Sequence, residues 1–156
     1  MRLACLLFGL GLSSCATTPA APTLTHRVSG KITSLDGLRG KVLVLNFWAG
    51  QCPPCRAEMP DFQRVYDRRR GDFLLLGIDV GAFVGLGDQN DARRLLRDLG
   101  IRYPTAATAD ARIVQDYRVL GMPTTVFIGR DGRVAHRVIG VLNAARLEQQ
   151  IDLLVQ

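Results

Sequence analysis

Apolar residues fall along the chain in runs and stripes of two different periods. Lys41–Trp48, KVLVLNFW, is almost continuously apolar over the length of one strand, the pattern of a central strand covered on both faces. Asp72–Val80, DFLLLGIDV, has the same character. Between them RAEMPDFQRVYDRRR places Met59, Phe62, Val65 and Tyr66 three and four residues apart, the stripe of a helix with one buried face. Pro60 inside it predicts a kink, because proline removes one backbone bond. GAFVGLGDQ reads as a glycine-rich loop, and Asn90–Gly100 as a helix capped by Asn90 or Asp91 and stopped by Gly100. YPTAATAD reads as a short extended piece, and ARIVQDYRVL as a helix closed by Gly121. PTTVFIGRDGRVAHRVIG predicts a β-hairpin about Asp131-Gly132. NAARLEQQIDLLV is a final amphipathic helix with Asn143 as its cap.

Strands alternating with helices, then a hairpin, predict an α/β fold: a mixed central sheet with helices on both faces. His26–Gly40, broken by glycines, adds an N-terminal β extension. The 156 residues suit one domain, expected over 26–156. No internal repeat appears.

Composition changes this picture little. The apolar fraction of 47% excludes a disordered chain. The net charge of +6 comes almost entirely from arginine, since only Lys31 and Lys41 are lysines. Arg68-Arg69-Arg70 and Arg93-Arg94 carry no interleaved aromatics and read as solvated helix faces, so no nucleic-acid partner is expected.

The first residues read as an address. Arg2 precedes LACLLFGLGL, about ten apolar residues, where a membrane span needs about 20. LSSC, Leu12–Cys15, is similar to a bacterial lipobox. Residues 1–14 are then a lipoprotein signal peptide, with Cys15 the lipidated residue; an ordinary secretory signal cut near TTPAAPT is the other reading. Residues 15–25, rich in Ala, Thr and Pro, form a tether. The expected place is the periplasmic side of a membrane, held by lipid alone. Ala16 in place of aspartate favours the outer membrane by resemblance to Gram-negative lipoproteins.

Two cysteines remain, Cys52 and Cys55, where the first strand meets its helix. Pro53 and Pro54 fit the first helical turn, whose N–H groups are spare. Free N–H groups and the helix dipole there stabilise a thiolate on Cys52. Cys55, one turn further in, can then attack a mixed disulfide and release the partner. A closed zinc site needs four ligands. Copper held by Cys52, Cys55 and His136 stays open as an alternative. A static disulfide across two residues restricts the unfolded chain little.

FWAGQCPPC, Phe47–Cys55, resembles the thioredoxin active-site signature, and GMPTT, Gly121–Thr125, resembles that superfamily's cis-proline loop. Within the superfamily the chain resembles the TlpA/ResA group of extracytoplasmic thiol–disulfide oxidoreductases, over roughly residues 30–155. The membrane-anchoring start, a central insertion around GLGDQNDARRLLRDLGIRYPTAATAD and the run CRAEMPDFQ carry that likeness. It implies a thioredoxin-like fold and a protein-disulfide reductase, with no cofactor beyond the Cys52–Cys55 couple. Cys52 is then the nucleophile and Cys55 the resolving thiol. The loop of Met122, Pro123 and Thr124 would position a partner's backbone, with Pro123 in a cis bond and the backbone of Met122 presented to the partner, beside Trp48, Gln51, Pro53 and Pro54. Where thioredoxins bury an aspartate this chain has Asn46, so Glu58, one turn past Cys55, is the candidate for moving the Cys55 proton. A solvent-facing Glu58 balancing Arg56 is the bland alternative. Gln51 stands where the group usually has tryptophan, and Pro53-Pro54 where thioredoxin has glycine-proline.

The implied partners are cysteine-containing client proteins, such as apocytochrome c or copper-site proteins, and an upstream membrane thiol reductant. A monomer is expected. Alternatives are a copper metallochaperone, a disulfide-donating oxidant using the same cysteines, and a peroxide-reducing enzyme of the peroxiredoxin branch.

Overall fold

The computed structural model describes residues 25–28, 31–34 and 38–156, the first two stretches as backbone only. The signal peptide, Cys15 and nearly all of the expected tether lie outside the described residues. A two-stranded antiparallel sheet pairs β1 (Thr25–Val28) with β2 (Lys31–Ser34). The main sheet has five strands: β3 (Leu43–Trp48), β4 (Leu74–Asp79), β5 (Thr105–Ala107), β6 (Thr124–Ile128) and β7 (Val134–Ile139), in the order β5-β4-β3-β6-β7. β4 is parallel to both β3 and β5; β6 is antiparallel to β3 and β7 to β6.

β3 is the centre of the molecule, buried along its whole length. Its side chains alternate between two cores. Val44 and Trp48 join Met59 and Phe62 of α1 (Pro53–Arg69), Leu95 of α3 (Gln89–Asp98) and Leu147 of α5 (Ala144–Val155). Leu43, Leu45 and Phe47 face Ile113 of α4 (Arg112–Asp116) and Tyr117 on the other side. Each such apolar side chain contributes about 1.5–3 kcal/mol on burial. The same alternation puts Asn46 on the α1 face, a polar residue with no exposed surface.

The hairpin turns at Gly132, whose φ of +77° favours glycine, and Asn143 caps α5 by accepting the Arg146 N–H at 2.9 Å. α1 runs through Pro60, whose ring leaves the Arg56 carbonyl without its intrahelical donor.

Three local expectations are corrected. Gly81–Val84 forms a single helical turn, α2, where a loop was expected. The cap of α3 is Asp88, not Asn90 or Asp91. Its carboxylate accepts the N–H groups of both, and Asp91 returns a bond to the Asp88 N–H, closing a capping box. α4 stops at Asp116 instead of running to Leu120, because Arg118 takes a positive φ of 50°. The bend lets Tyr117 and Val119 both bury in the second core.

Candidate active site

β3 delivers the chain at Trp48 into a short loop, and α1 starts at Pro53. Cys52 is the N-cap of that helix, in extended conformation, and its Sγ accepts the Cys55 N–H at 3.2 Å. Cys52 and Cys55 are joined as a disulfide with an S–S distance of 2.05 Å. Both are nearly inaccessible, Cys52 at 3% and Cys55 at 0%. The first turn of α1 holds no acid, while Arg68 and Arg69 sit in its last turn, so the dipole at the cysteine end is uncompensated by carboxylates.

Glu58 projects from the buried face of α1 and is 1% exposed. Its Oε1 accepts from Asn46 Nδ2 at 2.7 Å, and its Oε2 accepts the Leu142 N–H at 3.0 Å. Burial pushes its carboxyl up to about 7, against the pull of the Leu142 N–H and the Asn46 amide, which favour the charged form. The solvent-facing alternative is thereby corrected, and Arg56 instead meets Asp98 on the surface, at 3.5 Å. Asn46 also donates to Thr125 Oγ1 at 3.3 Å, while its Oδ1 is buried without a hydrogen bond.

The register of β3 on β6 pairs Asn46 with Thr125 and Phe47 with Thr124. That pairing carries the preceding loop to the same end of the sheet as the cysteines. The Met122–Pro123 bond in this loop is cis. Thr124 Oγ1 donates to the Gly121 carbonyl at 2.6 Å, and the Pro123 carbonyl accepts the Gly140 N–H at 2.8 Å. Pro123 and Thr124 are buried, Met122 is half-buried and Pro53 exposed. Leu120, Ile139 and Val141 are exposed apolar residues on the segments around the loop; nothing in the hydrophobic pattern had marked them.

Two expected site residues are placed differently. Trp48 is 1% exposed and packs in the core between β3 and α1 instead of touching a partner. His136 does not join the cysteines. It pairs with Phe127 across the hairpin, three residues or roughly 10 Å along β6 from Thr124. Its ring stacks on Phe127 at 4.4 Å, and burial lowers its pKa. Among the described residues no three His, Cys, Asp or Glu side chains group as a metal site. The copper alternative therefore lacks its third ligand. Sequence reading missed Thr125 and the Leu142 N–H; the latter is a backbone group 84 residues from Glu58 and has no side-chain signal.

A dithiol–disulfide couple at a helix N-terminus, a buried titratable carboxyl behind it and an edge of cis-proline backbone beside it can carry out thiol–disulfide exchange. The family model described as the AhpC/TSA family matches residues 17–137. Thiol-disulfide oxidoreductase ResA of Bacillus thuringiensis (strain Al Hakam) is 30% identical over 123 residues, covering 78% of this chain and 68% of that protein. Sporulation thiol-disulfide oxidoreductase A of Bacillus subtilis (strain 168) is 25% identical over 133 residues, covering 84% and 79%. Among solved structures, a thiol:disulfide interchange protein of the thioredoxin family from Chlorobium tepidum TLS superposes with a TM-score of 0.76 at 26% identity, covering 90% of this chain and 99% of that one.

Proposed function

The chain belongs to the AhpC/TSA family and is a thiol–disulfide oxidoreductase of the ResA/DsbE type; from that premise we propose that it reduces disulfides of client proteins outside the cytoplasm. In the reduced enzyme the Cys52 thiolate attacks one sulfur of the client disulfide. A Cys52–client mixed disulfide forms, and the first client sulfur leaves and takes up a proton. Cys55 passes its proton to Glu58 and attacks Cys52 Sγ. The Cys52–Cys55 disulfide forms and the second client thiol is released. Two electrons move from enzyme to client, and an upstream membrane thiol reductant must return them.

The observation that carries this reading is Glu58: a buried carboxyl held by Asn46 and the Leu142 N–H, with its pKa near 7. A base poised there takes a proton from a buried thiol at neutral pH. Met122 offers its backbone to an extended client segment, with Pro123 and Thr124 fixing the loop that carries it and Gln51, Pro53 and Pro54 at the rim. Cytochrome c apoproteins and copper-site proteins, whose cysteines must be reduced before loading, are the proposed clients. The working protein is a monomer held by lipid on Cys15, with residues 1–14 removed and the tether leading to the domain. Among the described residues no helix is long and apolar enough to cross a membrane.

Equilibration of the couple with glutathione or dithiothreitol tests the direction. A potential near that of thioredoxin, about −270 mV, supports a reductant. A value near about −120 mV marks a disulfide donor and overturns it.

A further inference from the structure

The loop between Trp48 and Cys52 is fastened to the segment that follows β4. The Gln51 N–H donates to the Leu86 carbonyl at 2.9 Å. The Gln51 side chain is exposed, yet its Nε2 donates to Asp91 Oδ2 at 2.9 Å. The same Asp91 oxygen accepts the Asp88 N–H at 3.0 Å, within the capping box of α3. Arg94 pairs with the other Asp91 oxygen. Gly50 lies against the first turn of α3 so closely that a Cβ there would sit 2.5 Å from Ala92 N. No side chain fits at that approach.

Asp91 is therefore held by three donors, one from its own helix and one from that helix's cap. Such a carboxylate stays with α3, and the loop is fixed to it. Cys52 is the next residue after Gln51, and its Sγ must remain over the first turn of α1 to meet the Cys55 N–H. Without the side-chain bond, two backbone bonds still hold the loop: Gln51 N–H to Leu86 and Cys52 N–H to Ala49 at 3.2 Å. An amide donating to a carboxylate is charge-assisted and stronger than either.

We propose that the Gln51–Asp91 hydrogen bond is a latch by which helix α3 positions Cys52 for attack, making Gln51 and Asp91 positioning residues of the exchange reaction. The inference rests on Cys52 being the attacking sulfur. In place of the aromatic residue expected before the first cysteine, this chain carries a side chain that ties the active-site loop to the central insertion. Opening the latch lets Cys52 Sγ drift off the helix N-terminus. The thiolate then loses N–H stabilisation, and the reduced form is disfavoured.

Four proteins test it: wild type, Gln51→Leu, Gln51→Glu, and Gln51→Glu combined with Asp91→Asn. Leucine removes the donor without adding charge. Glutamate sets two carboxylates against each other. In the double variant the new amide nitrogen takes the place of Oδ2 and donates back to the new carboxylate, and the Asp88 N–H gives up that acceptor. The latch is rebuilt with reversed polarity. Two readouts are taken on each: the pH midpoint of Cys52 alkylation by iodoacetamide, resolved by mass spectrometry, and the equilibrium constant with glutathione. Both single variants should raise the midpoint. Each should shift the constant about three- to tenfold toward the disulfide, tenfold being about 30 mV for two electrons. The double variant should return to within about twofold of wild type on both. A Gln51→Leu protein equal to wild type on both readouts overturns the latch. So does a double variant as displaced as Gln51→Glu, which would leave the bond a cap of α3 and nothing more. Alkylation of Cys55 ahead of Cys52 in wild type instead overturns the assignment of the attacking sulfur on which the latch depends.

Discussion

Helices α1 and α3 both begin beside the Cys52 loop, and their first turns are filled by different chemistry. At α3 a carboxylate takes up the free N–H groups: Asp88 accepts from Asn90 and Asp91 at 2.7 and 3.0 Å. At α1 there is no acid in the first turn, and the first two helical residues are prolines, which have no N–H to satisfy. The Cys55 N–H is the first donor of that helix, and it points at Cys52 Sγ. One helix start is closed by permanent charges. The other leaves its field for a sulfur whose charge appears only when the disulfide opens. The same local geometry thus serves structure in one place and chemistry in the other, according to which atom is put at the cap.

The largest effect should follow from changing that atom alone. Cys52→Ser keeps an N-cap that accepts the Cys55 N–H, so the thermal midpoint should stay near that of the reduced wild type. Disulfide reduction, followed by insulin turbidity, should fall to background. Next in size is Glu58→Gln, which touches the buried face of α1. General-base help is worth about a hundredfold or more, so reduction at pH 8 should slow by that order. This substitution also changes stability against pH. The folded value of about 7 lies above the ordinary 4.5, so the folded state holds the proton more tightly. The stability this group contributes is complete below pH 4.5 and is lost as pH rises through 7. The loss should be on the order of 3 kcal/mol by pH 8. Urea unfolding at pH 5 and pH 8 should show that fall in wild type and its absence in Glu58→Gln.

Smaller effects should come from making the two helix starts alike. Pro54→Asp gives α1 the acid that α3 has. A carboxylate there competes with the thiolate for the same field, at about 0.3–1 kcal/mol. The alkylation midpoint of Cys52 should rise, with roughly two- to fivefold less thiolate at pH 7. The converse change, Asp88→Ala, removes the cap of α3 and should cost about 1 kcal/mol in denaturant unfolding. It leaves Asp91 and Gln51 in place, so the glutathione equilibrium of the couple should not move.

Much of this contrast was legible in the sequence, and the parts that were not share a cause. The buried run at Lys41–Trp48, the Asp131-Gly132 hairpin and the Asn143 cap depend on neighbours close in the chain, and they stand as expected. The Cys52–Cys55 pairing, the burial of Glu58 and the cis bond at Pro123 agree with the sequence because their signals lie in a few adjacent residues. The cap of α3 was misplaced because Asp88, Asn90 and Asp91 all have capping side chains, and only the backbone decides among them. α4 was drawn too long because Tyr117 and Val119 continue an apolar pattern that they satisfy from outside the helix. Trp48 was read as a partner contact because an aromatic next to a reactive pair looks the same whether it lies on the surface or beneath it. The partners of Glu58 could not be read at all. Asn46 arrives on its face by strand alternation, and Leu142 supplies only a backbone N–H.

The central claim is that Glu58 takes the proton of Cys55, and the most direct test is the rate of mixed-disulfide resolution against pH. A single turnover starts with reduced enzyme mixed with a client disulfide, and quenched samples follow the decay of the Cys52–client adduct. In wild type the rate should rise through an inflection near pH 7, as Glu58 becomes a base, and then level off. In Glu58→Gln the inflection should vanish and the rise should follow the thiol itself, above about pH 8.5. Identical profiles in the two proteins would contradict the account, and Glu58 would then be a buried acid without a part in the exchange.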